Sequence, residues 1–344
     1  MPKAFKEEEQ WIVVIGTSAG GLLALQELFR QIPKNFPAAI FVVQHLAATA
    51  NGAVLLKILA GVTSLPCKFA EDGDKVIGGR ILLAPPDHHM LIKRSGVLVT
   101  KGAAENRYRP AIDTLFRSAA VAYENRTIGI VLTGRLDDGT AGLSAIKACG
   151  GTCIVQDPEE ATYPDMPASA IENVSVNFCV PIVEMGPLLE KLISKPPKKR
   201  TTLDPEIEME AKIAERVLSD VETVGKLGTQ VPYNCPACGG VLWQITKSGM
   251  HRYRCHTGHS FTAASLEESQ LEKIEETLWI SLRMFEERKN LLNMTATREE
   301  ERGYTTNAVL QRQRAKEASV HIDRIRDMLR TSTKAMSAGI PAKH

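Results

Sequence analysis

Residues 12–29 have the sequence IVVIGTSAGGLLALQELF, in which a short apolar run precedes a group of glycines and a helical pattern. This order predicts a strand, a tight turn and a helix. Ser18 lies at the centre of a G-x-S-x-G motif in the turn. Such a turn can present a nucleophilic serine, with the following amides directed at an oxyanion. A phosphate-binding glycine turn and a plain strand-to-helix connection fit the same residues.

The same alternation of strand and helix patterns continues to about residue 185 and predicts an α/β fold. The predicted strands are continuously apolar, which is typical of a doubly wound, mostly parallel sheet covered on both faces. They lie at 12–16, 39–43, 66–70, 80–84, 90–92, 97–100, 127–133, 152–156 and 177–180. The predicted helices lie at 20–32, 51–60, 110–124, 139–148 and 166–173. Residues 80–100 predict a β-hairpin insertion.

Polar residues follow two further strands of this predicted sheet. His45 comes after strand 39–43, and Asp137 and Asp138 come after strand 127–133. The carboxyl ends of parallel strands form one crevice, so these side chains are expected beside Ser18. His45 could then act as a base, with an aspartate accepting a hydrogen bond from its Nδ1–H. A packing histidine and a helix-capping aspartate are the alternatives.

Together these blocks resemble the chemotaxis protein-glutamate methylesterases, the CheB-like catalytic domains, over about residues 10–185. The resemblance rests on residues 16–21, 44–45, 84–89, 109–116, 132–139, 150–151, 156–158 and 166–167, which are GTSAGG, QH, APPDHH, RPAIDTLF, LTGRLDDG, GG, QDP and MP. It implies a doubly wound domain whose Ser–His–Asp triad hydrolyses γ-glutamyl methyl esters on receptor helices. It also implies deamidation of certain glutamines, without a cofactor for catalysis.

Carried over by position, the resemblance implies that Ser18 is the nucleophile and His45 the base. It implies that Asp138 is the orienting carboxylate, since the adjacent Asp137 falls on a variable position. It also implies oxyanion donors in the backbone amides of Ala19 and Arg135.

One departure from the family pattern is Arg135-Leu136, where the best-known members have a methionine-glycine pair. We hypothesise that Arg135 binds an acidic protein segment or anchors the C-terminal helices. Arg109 and Asp113 are four residues apart at a predicted helix start. Arg109 could therefore contact substrate or form an ion pair with Asp113.

A second motif joins Cys235-Pro236-Ala237-Cys238 to Cys255-His256-Thr257-Gly258-His259. A C-x2-C and a C-x3-H supply the four ligands of tetrahedral zinc. The intervening segments 241–245 and 251–254 predict a hairpin, so the pattern indicates a zinc ribbon with a structural zinc. The predicted ligands are Cys235, Cys238, Cys255 and His259. His256 is the less favoured fourth ligand, and a reduced thiol cluster is the alternative to a metal.

The patterns predict four segments along the chain. These are a catalytic domain at 10–190, a linker at 191–205, a helix with the zinc ribbon at 206–262, and a helical hairpin at 263–335. The linker is rich in proline and lysine, and a solvated tether is favoured over a nucleic-acid patch. Pairing with another subunit is the alternative to an intramolecular helical hairpin. The extension resembles the zinc-ribbon-plus-helices tail of some stand-alone members of the same family.

The composition is that of an ordinary globular protein. The 344 residues carry a net charge of +2, with 44% hydrophobic and 24% charged residues. Near-neutral charge argues against a nucleic-acid partner and against direct membrane association. No apolar run is long enough for a spanning helix, and the charged N-terminus lacks the apolar core of a secretory signal. Seven cysteines without such a signal favour a reducing compartment, so a cytoplasmic protein is predicted.

Two functions fit these observations. The first is a serine hydrolase that demethylates glutamate γ-methyl esters, and deamidates glutamines, on a methylated receptor or other signalling protein. The second is a non-catalytic signalling adaptor whose esterase-like domain, zinc ribbon and helices bind proteins. The set Ser18, His45 and Asp138 favours the hydrolase. A second departure from the family pattern is the lack of the N-terminal receiver domain, since about ten residues precede the first strand. Regulation is therefore expected in trans or through the C-terminal part, and the expected further partners are a methyltransferase or a regulator acting in trans.

Overall fold

The computed structural model describes residues 10–46, 52–195, 197, 204–216, 221–247 and 250–338. Its first nine strands are β1 (Ile12–Thr17), β2 (Ala39–Gln44), β3 (Cys67–Phe69), β4 (Ile81–Leu83), β5 (His89–Lys93), β6 (Gly96–Thr100), β7 (Thr127–Val131), β8 (Thr152–Gln156) and β9 (Phe178–Val180). Seven of them form a parallel sheet in the order β3-β4-β2-β1-β7-β8-β9. The strand order reverses between β1 and β7, where open α/β sheets hold their ligands.

Helices cover both faces of this sheet. They are α1 (Gly21–Gln31), α2 (Gly52–Ala60), α3 (Ile112–Tyr123), α4 (Thr140–Ala148), α5 (Asp165–Asn173) and α6 (Ile182–Ile193). Successive residues of β1 enter different cores, since Val13 packs in one hydrophobic cluster and Val14 in the other. This two-sided burial is the reason that the strands are continuously apolar. The predicted doubly wound fold is confirmed.

Two details of the first nine strands and six helices are informative. β5 and β6 form an antiparallel hairpin, as predicted. Helix α6 was not predicted; it contains Pro187, a residue that normally interrupts helix interiors. The side chain of Gln31 in α1 holds α6 next to this proline, because Gln31 Oε1 accepts a hydrogen bond from Gly186 N at 3.0 Å.

The following segment adds a second sheet. It contains α7 (Pro205–Arg216), α8 (Val221–Gly225), β10 (Thr229–Asn234), β11 (Val241–Lys247), β12 (Met250–Cys255) and β13 (Ser260–Thr262). The four strands are antiparallel in chain order, and the predicted hairpin corresponds to β11 and β12. Ile207 of α7 lies in the same core cluster as Val14 and Phe116. The second sheet and the first therefore belong to one compact unit, which extends to Leu266.

Residues 267–344 form the other compact unit. Its helices belong to α9 (Ala263–Glu301) and α10 (Thr305–Ala338), which are separated at residues 302–304. The buried side chains include Ala296, Ala308, Ala315, Ile322 and Leu329. Among the helices in the described ranges, none combines the length and apolar character that a bilayer crossing requires.

Several predicted features fall partly outside the described residues. They include the charged N-terminus at 1–9, residue 51 of the predicted helix 51–60, the basic part of the linker at 198–203, and residues 217–220 of the predicted helix before the zinc ribbon. The four-segment division at 190, 205 and 262 stays a prediction.

Candidate active site and metal centre

Ser18, His45 and Asp138 each follow one of three neighbouring strands, β1, β2 and β7. Backbone pairing continues past the strand ends, because Ser18 N donates to Thr133 O and His45 N donates to Thr17 O, both at 3.0 Å. Ser18 and His45 line one cavity of about 790 Å³ at this edge of the sheet. Within the described residues, no hydrogen bond joins the Ser18 hydroxyl to His45.

A short hydrogen bond connects His45 to Asp138. His45 Nε2 lies 2.8 Å from Asp138 Oδ2, and Asp138 is only 1% exposed. The first amide of α3 also donates to this carboxylate, from Ile112 N at 2.7 Å. Burial raises the pKa of Asp138, but the hydrogen bond and charge of His45 and further donors outweigh it, so the pKa lies below its ordinary value. Asp138 is therefore a buried carboxylate that favours its ionised form.

The ring nitrogen in this bond differs from the sequence prediction. The prediction placed the carboxylate on Nδ1, whereas the structure places it on Nε2. The ring of Tyr108 stacks on His45 with centroids 3.6 Å apart and an interplanar angle of 12°. His45 Nδ1 is buried without a hydrogen-bond partner in the described part of the chain. With Nε2–H donating to Asp138, Nδ1 is the nitrogen that can accept a proton.

The loop before α3 contributes residues that the sequence analysis missed. Asn106 Nδ2 donates to Asp138 Oδ1 at 2.9 Å and to Asp113 Oδ2 at 2.8 Å. Asn106 is 3% exposed, and Tyr108 lines the cavity. The sequence signal for these residues was the run of polar and aromatic side chains from Glu105 to Tyr108, in a short loop directly before a predicted helix.

Asp113 and Arg109 do not pair with each other, so that alternative is wrong. Asp113 accepts from Asn106 and from the amides of Gly139 and Gly142 at 3.1 and 2.6 Å. Burial, with the negative charge of Asp138, raises the pKa of Asp113 to about 7. Arg109 instead donates to Asp87 at 2.8 Å and lines the cavity. Its predicted contact with substrate stays a prediction.

The two predicted oxyanion donors lie in different surroundings. Ala19 lines the cavity, whereas Arg135 is exposed and is not among the lining residues. Asp137, the neighbour of Asp138, accepts a hydrogen bond from Thr262 Oγ1 at 2.9 Å. Burial raises the pKa of Asp137 to about 6.

The four predicted metal ligands come together at one end of the second sheet. The ligand atoms of Cys235, Cys238, Cys255 and His259 all lie within 4.8 Å of one another. Ligands about 2.3 Å from a tetrahedral zinc lie roughly 3.8 Å apart. Cys238 Sγ and Cys255 Sγ are 3.7 Å apart, and Cys255 Sγ lies 3.6 Å from His259 Nδ1. The donor set and its spacing fit a tetrahedral metal ion, and His256 lies outside the cluster.

The fold is a doubly wound α/β domain in which a serine, a histidine and a buried aspartate follow three neighbouring strands. Residues 13–189 match the family model for the CheB methylesterase. The chain belongs to the CheB methylesterase family. The predicted family and enzyme class are confirmed by this match.

Named relatives agree with the family assignment. A Leptospira interrogans protein, provisionally named protein-glutamate methylesterase/protein-glutamine glutaminase, is 37% identical over 52% of this chain and 93% of that protein. Protein-glutamate methylesterase/protein-glutamine glutaminase 2 of Xanthomonas campestris is 37% identical over 54% of this chain and 53% of that protein. The crystal structure of the Thermotoga maritima CheB methylesterase catalytic domain matches with a TM-score of 0.52 and 36% identity, over 53% of this chain and 98% of that domain.

Proposed function

We propose that the chain is a serine hydrolase that demethylates glutamate γ-methyl esters on a chemoreceptor-like signalling protein. The observation that carries this proposal is the His45–Asp138 hydrogen bond beside a cavity that Ser18 also lines. The names of the relatives support a methylated glutamyl side chain as substrate and glutamine as a second substrate.

In the proposed reaction, Asp138 keeps the proton of His45 on Nε2, so Nδ1 is the base. Substrate binding aligns Ser18 Oγ with Nδ1, since catalytic hydrogen bonds often tighten only in the Michaelis complex. Nδ1 takes the hydroxyl proton as Oγ attacks the γ-carbonyl carbon. The backbone amides of Ala19 and Arg135 would stabilise the oxyanion.

Collapse of the tetrahedral intermediate breaks the bond to the methoxy oxygen, and methanol leaves with the proton from Nδ1. A water molecule then gives a proton to Nδ1 and attacks the acyl-enzyme. The second tetrahedral intermediate then collapses to the glutamate γ-carboxylic acid, the proton on Nδ1 returns to Ser18 Oγ, and the product acid loses its proton to solvent. With a glutamine substrate, ammonia is the leaving group in the same sequence.

We further propose that Cys235, Cys238, Cys255 and His259 bind a structural zinc. Four protein ligands leave no coordination position for water or substrate, which supports a structural role. The cluster is also small for unaided stability, since its apolar neighbours are limited to a few residues such as Leu242, Phe261 and Leu266. Zinc binding would therefore contribute directly to the folding of the second sheet.

The test is methanol release from a methylated chemoreceptor by the full chain and by Ser18→Ala. We expect release by the wild type and its loss in Ser18→Ala, while Ser194→Ala, an exposed serine on another face, retains the wild-type rate. Equal rates in the wild type and Ser18→Ala would exclude the triad. Absence of release from both would favour the adaptor function.

A further inference from the structure

Strand β13 of the second sheet contacts the loop that borders the proposed active site. Ser260 O accepts from Asn106 N at 2.7 Å, and Thr262 N donates to Asn106 Oδ1 at 3.2 Å. Thr262 Oγ1 donates to Asp137, the residue before Asp138. β13 is therefore bonded to both chain segments that surround the Asp138 carboxylate.

The Asn106 side chain is completely used by these contacts. Its amide nitrogen donates one hydrogen to Asp138 and the other to Asp113, and its oxygen accepts from Thr262. In the reverse orientation the amide oxygen would face the ionised Asp138 and the amide nitrogen would face the Thr262 N–H, so the contacts favour a single orientation. The Thr262 amide, which also donates to Ser265 Oγ at 2.9 Å, supports this orientation of Asn106.

A buried ion network attaches the same loop to the second sheet. Glu105 Oε1 accepts from Arg254 at 2.8 Å, and Glu105 Oε2 accepts from Arg117 of α3 at 2.9 Å. All three side chains are at most 4% exposed. Arg254 also donates to Gly258 O, within the turn that carries two predicted metal ligands. These ion pairs connect the loop directly to β12 and to α3.

We infer that Asn106 is a positioning residue for the proposed triad and that β13 of the metal-binding sheet fixes it. The inference rests on the proposed function. Asn106 holds Asp138 Oδ1 together with the backbone amides of Asp113 and Gly139, while Oδ2 faces His45 Nε2. The same amide bridges Asp138 to Asp113 and screens two close carboxyl groups from each other. β13 thus completes an active site whose reacting groups all follow strands of the first sheet.

The variant that tests this is Asn106→Gly in the full chain. Asn106 has φ 50°, a left-handed conformation that glycine adopts without strain. We expect kcat for methanol release to fall by about 10- to 100-fold, with KM changed by less than about twofold, because a misplaced catalytic group costs up to about 10² in rate. Asn106→Asp, which adds a third carboxyl group, should lose at least as much. A wild-type kcat in both variants would overturn the inference.

Glu124→Gly is the matched control. Glu124 also has a left-handed φ of 51°, is 6% exposed and is hydrogen-bonded to Arg94, at the far end of α3. We expect Glu124→Gly to lower the melting temperature and leave kcat unchanged. An equal loss of kcat in Glu124→Gly and Asn106→Gly would show general destabilisation and contradict the inference.

The role of β13 is tested by comparing Thr262→Pro with Thr262→Val. Both variants lose the hydroxyl, but only Thr262→Pro loses the N–H that holds Asn106. We expect the Asn106→Gly phenotype in Thr262→Pro and a smaller loss in Thr262→Val. Equal kcat values in these two variants would exclude the backbone contact as the support.

A readout without substrate separates the two proposals. In full-length, ¹⁵N-histidine-labelled protein, the His45 ring shifts should report protonated Nε2 and unprotonated Nδ1. Asn106→Gly should alter these shifts, and Glu124→Gly should not. Altered shifts without methanol release by the wild type would reject the proposed ester hydrolysis and support positioning by Asn106. If the wild type releases methanol and the His45 shifts in Asn106→Gly equal those of the wild type, the positioning role is rejected and the proposed ester hydrolysis stands.

Discussion

Two contacts fix the orientation of the His45 ring, a hydrogen bond to one ring nitrogen and a stacked aromatic ring on one face. Asp138 fixes its Nε2, and Tyr108 covers its plane. These two contacts leave Nδ1 as the only ring nitrogen without a partner in the described part of the chain. The contacts of the ring therefore decide which of its two nitrogens acts as the base in the proposed mechanism.

Asp138→Asn tests this selection. The substitution keeps the shape, but the amide can donate to Nε2 and move the ring proton to Nδ1. We expect kcat to fall by about 10⁴-fold, the effect of the analogous change in a serine protease triad. Methanol release from a methylated receptor measures it, and a fall of less than tenfold would contradict the assignment of Nδ1 as the base.

Tyr108→Ala tests the ring contact. Removal of the stacked ring allows His45 to turn, so we expect a loss in kcat of up to about 10²-fold. Tyr108→Phe keeps the stacked ring and should lose less. Circular dichroism of both variants checks the fold, and equal kcat in the two variants would exclude stacking as the cause.

At the scale of elements, sequence periodicity predicted the strands and helices that bury apolar side chains. The central strands of the first sheet were predicted because apolar runs such as 12–15 and 40–43 are continuous. Helix α6 was missed because Pro187 interrupts its helical pattern. Strand β13 was missed because three residues are too few to show an alternating pattern. Asn106 and Tyr108 were missed for a different reason: their roles depend on partners distant in sequence, such as Thr262 and His45. The ring nitrogen facing Asp138 likewise depends on loop geometry that no motif encodes.

The second sheet should depend on its metal. Chelation at neutral pH, or Cys235→Ser, should increase hydrogen exchange in β11 and β12 and lower the melting temperature, because the small core cannot replace the lost ligand bonds. Elemental analysis of the purified protein should show one zinc per chain. Cys179→Ser is the control, since this exposed cysteine lies outside the cluster. Unchanged exchange after complete metal removal would exclude the structural role.

At the scale of the whole molecule, buried ion pairs connect α3, α7, β12 and the loop before α3 within the first compact unit. Arg117 contacts both Glu105 and Glu210, while Arg254 and Arg252 of β12 each pair with one of these glutamates. Burial raises the pKa of Glu210, but the neighbouring Arg252 and Arg117 outweigh it and lower the pKa to about 2. The network therefore holds its charges across the ordinary pH range.

Glu105→Gln should destabilise the chain strongly. It leaves Arg117 and Arg254 without their carboxylate partner in a buried site, which typically costs about 3–5 kcal/mol. The free energy of unfolding in urea measures the loss. Glu286→Gln is the control, because its ion pairs are on an exposed helix surface and should contribute little. Equal urea midpoints for the two variants would contradict the prediction.

Stability should also fall as the pH rises from about 4 to 7. The folded state raises the pKa of Asp113 to about 7 and of Asp137 to about 6, so it binds more protons than the unfolded state in this window. Their contribution is complete near pH 4 and is lost as the pH increases through these values. Asp113→Asn should flatten the dependence in urea titrations at pH 4, 5.5 and 7. The lowered pKa of Asp138 acts in the opposite direction, below about pH 4.

The contact between Asn106 and Thr262 spans 156 residues of chain. Synthesis proceeds from the N-terminus at about 5–20 residues per second, so roughly 8 to 30 seconds separate the appearance of these two residues. Once Asp138 has been added, the nascent chain contains Ser18, His45 and Asp138 but still has no Thr262 amide to orient Asn106. The protein is thus expected to acquire its full rate only late in translation, when the last strand of the second sheet has left the ribosome.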